Sequence, residues 1–125
     1  MLGKLKGSVI FFVILMMLFI TIGSQITNAS TTTYNVGDNG GWTLGVSNWP
    51  NGKNFKIGDV IVFNYPKGVH NVVIVDKANY DNCKSSGKTY KSGNDRVTLD
   101  RGTTYFICGI AGHCDGGQKI AVTAN

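Results

Sequence analysis

The chain is 125 residues long and carries twelve Lys and Arg against seven acidic residues, with three cysteines and two histidines. That length holds one small domain, and two histidines are too few to build a multinuclear copper oxidase centre. Beyond residue 30 the positive charge is scattered between Lys53 and Lys119. It reads as a solvated surface before it reads as a polyanion-binding face, and no nucleic-acid partner is expected.

Lys4 and Lys6 precede an unbroken apolar run, Val9 to Ile20, followed by a polar stretch that ends at the small residue Ala29. This is the order of a secretory signal peptide over 1–29, which leaves one domain over 30–125. The 12-residue run falls short of the roughly 20 apolar residues that span a bilayer. An uncleaved signal anchor is the alternative reading. No second apolar segment follows, and Asn125 is reached without a stalk or lipid-anchor signal, so no membrane anchor is expected. The domain retains ten Lys and Arg against seven Asp, has no Glu, and loses all three methionines with the leader.

Within the domain, Thr32–Val36 is rich in β-formers and runs into Gly-Asp-Asn-Gly-Gly, a strong turn signal. In 53–65, Ile61, Phe63 and Tyr65 alternate with Val60, Val62 and Asn64, the period of a strand, before Pro66 and Gly68 break it. Val69–Val75 is a dense β-branched run, expected of a strand buried on both faces. The polar stretch 77–91 predicts a short helix or a long loop. Arg96–Leu99, Thr103–Cys108 and Lys119–Thr123 predict three further strands. About seven short strands with turns between them, and no long 3.6-residue period, predict an all-β sandwich or Greek-key barrel. Trp42, Trp49, Phe55, Phe63, Tyr65, Tyr105 and Phe106 are expected as core aromatics.

The chemistry concentrates in Tyr-Phe-Ile-Cys-Gly-Ile-Ala-Gly-His-Cys-Asp-Gly-Gly-Gln-Lys-Ile-Ala-Val, residues 105–122. An odd cysteine count in a secreted chain means one disulfide and one thiol kept for other work. Pairing Cys108 with Cys114 would close a tight ring and consume the thiolate beside His113. Pairing Cys83 with Cys114 leaves Cys108 free. Sequence alone does not decide the connectivity, and the reading follows from what the chemistry needs.

Cys108 ends a strand, and His113 follows across Gly109 and Gly112, whose backbone freedom lets both side chains turn toward one point. Gln118 comes after a second flexible pair, Gly116 and Gly117, while His70 must arrive from a different strand end. One thiolate, two imidazoles and a weak axial oxygen form the donor set of a blue copper electron-transfer site. The soft sulfur favours cuprous ion, and the nitrogens suit both oxidation states. With no methionine in 30–125, Gln118 is the available axial donor; its harder oxygen should lower the reduction potential relative to a thioether.

Four segments carry a family resemblance: Phe55–Tyr65, Val-His-Asn-Val at 69–72, Ser-Gly-Asn-Asp at 92–95, and Cys108–Val122. In that order they resemble the phytocyanins, the secreted blue copper proteins of plants, over nearly the whole domain. The resemblance implies a cupredoxin-like fold and one type 1 copper ion held by His70, Cys108 and His113, with Gln118 axial. It implies a Cys83–Cys114 disulfide, a bracing hydrogen bond from Asn71, and a solvent-exposed edge of His113 as the electron port. It also implies a monomeric one-electron carrier of the extracellular space, in apoplast or cell wall. Its partner would be an acidic redox protein or a small-molecule reductant, with an anionic wall polymer as a further contact. Size and mild basicity are similar to the plantacyanin branch, whereas Gln118 stands where plantacyanins carry methionine and stellacyanins carry glutamine.

Three rival readings were weighed against this one. Cys108, Cys114, His70 and His113 would make a Cys₂His₂ zinc set, but adjacent His113 and Cys114 point to opposite sides of an extended chain. No Cys–His protease signature, nucleophile elbow, phosphate loop or paired-carboxylate motif is present, so no enzyme is expected. A secreted cell-wall or signalling interaction protein with incidental or structural copper is the third.

Overall fold

The structure is a computed structural model and describes residues 30–125; the leader expected over 1–29 lies outside the described residues. The described residues form β1 (Thr33–Asn35), a single 3-10 turn (Asp38–Gly40), β2 (Val60–Asn64), β3 (Val72–Val75), α1 (Lys77–Asp81), β4 (Lys88–Tyr90), β5 (Asn94–Thr98), β6 (Gly102–Ile107) and β7 (Lys119–Ala124). Among these residues no helix is long and apolar enough to cross a membrane.

The strands make two sheets, ordered β1-β2-β5 and β4-β3-β6-β7. In the first, β1 runs parallel to β2 while β5 is antiparallel on its other side. Every neighbour pair in the second is antiparallel. The sheets pack on each other through Ile61 and Phe63 of β2 and Phe106, Ile120 and Val122 of β6 and β7. Phe63 and Phe106 meet with ring centroids 4.9 Å apart, and Trp42 stands edge-on to Phe63 at 5.0 Å. In β7 the buried residues Ile120, Val122 and Ala124 alternate with more exposed ones, so the period-two pattern reports the core face directly.

A second apolar layer lies on the outer face of the larger sheet. Val73, Val75, Ile107 and Cys114 are buried there beneath Tyr80, Tyr105 and Cys83. Helix α1 supplies Tyr80 and starts at Asp76, whose carboxylate accepts from the backbone N–H of Asn79 at 2.8 Å. Both faces of β3 are therefore covered, which is why its sequence is continuously β-branched.

Several element boundaries differ from the sequence expectation for local reasons. The strand expected in 53–65 contracts to Val60–Asn64 because Lys56–Asp59 turns, with Asp59 N–H donating to the Lys56 carbonyl. The buried Asp59 carboxylate holds that turn by accepting from the backbone of Thr32 and Lys56, each at 2.8 Å. The strand expected over 69–75 begins only at Val72, because Val69 closes a turn on the Pro66 carbonyl and is exposed. Stretch 77–91 contains the short helix and also edge strand β4, whose three residues show no alternation long enough to read.

Candidate metal centre

Three loops converge at one end of the sandwich. His70 sits on the turn between β2 and β3, with an isolated bridge between Lys67 and His70. Cys108 follows β6 directly and lies 1% exposed, while His113 belongs to the 109–117 loop. That loop is folded on itself: His113 N–H donates to the Ile110 carbonyl, Gly116 to Gly112, and Gly117 to Cys114. Gly112 and Gly117 take φ of 81° and 87°, left-handed values that a side chain would strain. The third loop, 41–47, is tied in by Gly45 N–H donating to the Gly116 carbonyl at 3.1 Å.

The donor atoms come together. The Nδ1 atoms of His70 and His113 are 3.0 Å apart, and Cys108 Sγ is 3.6 Å from His113 Nδ1. All three ligand atoms lie within 4.8 Å of one another. Both imidazoles are half-buried. Burial lowers the pKa of His70, and the facing His113 lowers it further. The ring thus tends to stay neutral, with its lone pair available to a metal.

Gln118 completes the group. Its backbone is bonded to both neighbours, accepting from Cys108 N–H at 2.9 Å and donating to the His113 carbonyl at 3.0 Å. The side chain is 0% exposed. Its Nε2 donates to the Trp42 carbonyl at 3.3 Å, while Oε1 has no hydrogen-bond partner among the described residues. A buried carbonyl oxygen without a donor costs roughly 1–3 kcal/mol, so a group that accepts its lone pair there is favoured. One sulfur, two imidazole nitrogens and that oxygen fit a single copper ion.

Asn71 joins two of the donor loops: its Oδ1 accepts from Gly109 N–H at 2.6 Å. Glycine at 109 eases this approach, since a Cβ there would lie 3.1 Å from Val73 and Ser85 and 3.2 Å from Asn71 Oδ1, and those side chains would have to give way. Trp42 is the residue that sequence reasoning missed, having been read only as core packing. Its indole Nε1–H donates to the Asn71 carbonyl at 2.8 Å, and its own carbonyl receives Gln118 Nε2. Its N–H donates to Asn64 at 2.8 Å, which Gly41 permits because a Cβ there would stand 2.6 Å from the same Asn64 oxygen. The Gly-Gly-Trp sequence at 40–42 was the available signal.

Cys83 and Cys114 form a disulfide, with Cα atoms 5.7 Å apart, and Cys108 remains a free, buried thiol. With Cys114 oxidised, the Cys₂His₂ zinc set is not available.

Residues 42–118 match the model of the plastocyanin-like domain. The chain is 57% identical over 98 residues to a chemocyanin of Lilium longiflorum, covering 77% of this chain and 78% of the relative. It belongs to the phytocyanin family. Among solved structures it is similar to cucumber basic protein, a blue copper protein, with a TM-score of 0.73 and 45% identity over 74% of this chain and 99% of that one. Cucumber stellacyanin gives 0.69 and 33% identity over 78% and 99%. The cupredoxin-like sandwich expected from the sequence is therefore the fold of this phytocyanin. The lower identity to stellacyanin sets Gln118 apart from the rest of its sequence, which is nearer to the basic proteins.

Proposed function

We propose that this phytocyanin is a secreted one-electron carrier of the plant extracellular space and not an enzyme. One copper ion would be held by His70, Cys108 and His113, with Gln118 as the axial oxygen donor. The observation that carries the reading is the convergence of Sγ and two Nδ1 atoms within 4.8 Å; the buried, unpartnered Oε1 of Gln118, whose main chain bonds Cys108 and His113, supports it. Bound copper supplies the redox change, alternating between the cupric and cuprous states.

The chain's part is to hold its donors still. Cys108 and Gln118 are locked by the β6–β7 ladder, His113 by its loop and the adjoining cystine, and His70 by the Asn71–Gly109 bond. Donors that move little between oxidation states keep the reorganisation accompanying electron transfer small. The half-buried imidazole edges give the electron a short way out. Leu44, Val69 and Ile110, three exposed large apolar residues, stand on the three loops of this end and favour close, dry contact with a partner. The signal expected over 1–29 supports secretion, and the carrier is expected to act as a monomer toward an acidic protein or small reductant.

The test is to load the secreted chain with Cu(II) and record its absorption and voltammogram. An intense blue band with a reversible one-electron wave, lost in Cys108→Ser, is the expected result. A colourless protein would favour an interaction role with incidental copper.

A further inference from the structure

Beside His70 lies a pocket of ≈ 300 Å³ lined by Lys67, Gly68, His70, Asn71, Lys91 and Ile110. Small-molecule sites run from about 300 to 1,000 Å³, so this one suits a ligand of roughly one ring. Two of these residues are lysines and none is acidic. The ion pair found among the described residues, Lys77–Asp81, is elsewhere. Asp95, near in sequence to Lys91, is buried and accepts from Tyr65 and Ser92. Neither Lys67 nor Lys91 forms an ion pair among the described residues.

Their placement is built into the fold. Lys67 is fixed by the bridge to His70. Gly93, at φ 83°, brings the turn that follows Lys91 against Lys67, since a Cβ at Gly93 would lie 3.5 Å from Lys67 Cβ. Ile110, half-exposed on the donor loop, adds an apolar wall.

We propose that this pocket binds a ring-sized organic monoanion, its charge shared between oxygens, and holds it against the His70 edge as the reductant. The inference rests on the electron-carrier reading of the adjoining centre. The lysines recognise the anionic oxygens, the Asn71 side of the pocket leads to the imidazole, and Ile110 packs on the ring plane. For an enediol monoanion the step balances: it loses one electron and one proton and leaves as its radical anion. The proton passes to water, and the electron takes cupric copper to cuprous.

The test uses the copper-free secreted chain, so that binding is read apart from redox activity. Benzoate, a redox-inert probe, should shift the amide resonances of Asn71, Lys91 and Ile110 saturably in ¹⁵N NMR titrations, more weakly at high salt. Lys67→Gln and Lys91→Gln should each bind about fivefold more weakly, the scale of one exposed charge contact. Neutral benzyl alcohol and inorganic sulfate should each bind far more weakly than benzoate. Absence of saturation, an equal response to either control, or unchanged affinity in both variants would overturn the site. On copper-loaded protein, benzoate should slow reduction by ascorbate competitively and leave reduction by neutral hydroquinone unchanged; equal slowing of both would refute the reductant role. A blue, reversible protein without a benzoate site sinks the pocket alone. Benzoate binding to a chain that stays colourless sinks the carrier reading, and the reductant role with it.

Discussion

Gln118→Met separates a metal donor from a packing residue, because the donor role predicts little change in the copper-free protein and the packing role a clear loss. Gln118 is fully buried, its Oε1 lacks a partner among the described residues, and its Nε2 makes one bond to the Trp42 carbonyl. Methionine of similar volume removes the orphan acceptor, a gain of roughly 1–3 kcal/mol, but takes the donor from the carbonyl of buried Trp42, a loss of about the same size. The two nearly cancel, so the copper-free domain should change in stability by less than about 1 kcal/mol, or in melting temperature by less than roughly 4–8 °C for a domain of this size. Scanning calorimetry on copper-free protein with the disulfide intact measures it. A melting temperature lowered by well over about 8 °C would refute the reasoning, since it would mean that Oε1 is well satisfied in the fold itself. The copper-loaded variant supplies a second arm: a thioether in place of the amide oxygen should raise the reduction potential, and an unchanged potential would count against Gln118 as the axial donor.

Other perturbations test the supports of the site. The Cys83–Cys114 cystine closes a loop with a sequence separation of 31, so Cys83→Ala with Cys114→Ala should destabilise the copper-free domain by about 3–4 kcal/mol in the chain-entropy model, read as a lower denaturant midpoint. Asn71→Ala leaves Gly109 N–H without its acceptor; a loss of roughly 1–2 kcal/mol is expected, with weaker copper retention against a competing chelator. Retention equal to that of the parent would show that this bond does not position the donor loops. Burial, and then the bond to Asp95, pushes the Tyr65 hydroxyl up from 10.0 to about 12. Its folded-state value exceeds the unfolded one, so this stabilisation is complete below pH 10, declines as pH rises, and is gone above about 12. Two units correspond to at most about 3 kcal/mol. Tyr65→Phe should flatten that alkaline limb in urea midpoints, and an undiminished limb would exclude Tyr65 as its source.

What the sequence made legible depended on the range over which each signal acts. Ile120, Val122 and Ala124 alternate with exposed neighbours, and β7 could be read from them because the core face repeats every second residue. The donors were legible for a different reason: with two histidines and one unpaired thiol, few combinations can make a metal centre. β4 was hidden because three edge residues, two of them exposed, carry no periodic signal. The start of β3 was misplaced because Val69 is β-branched yet closes a turn and faces solvent, a tertiary outcome that propensity does not foresee. Trp42 was legible as apolar bulk and illegible as a hydrogen-bonding hub. Its partners, Asn64, Asn71 and Gln118, lie 22 to 76 positions away, and the Gly-Gly pair before it hints at a close backbone approach without naming any of them.

That hub bears on how the centre tolerates its one conflict with ordinary folding rules. Buried polar atoms are nearly always paired, yet Gln118 keeps an acceptor unpaired among the described residues while its main chain bonds Cys108 and His113. A lone glutamine could escape by rotating its amide toward any nearby donor. Here the Nε2 end is held by the Trp42 carbonyl and the main chain by Cys108 and His113, so rotation would break the side-chain bond without offering Oε1 an identified donor. Trp42 is itself fixed at its N–H by Asn64 and at its indole by the Asn71 carbonyl, one residue from His70. The Gln118 amide and the His70 loop are thus held by the same residue, one through its carbonyl and the other through its indole. Packing supplies the rigidity and polar bonds supply the aim, and a violation of pairing maintained by both is what a functional site is expected to look like.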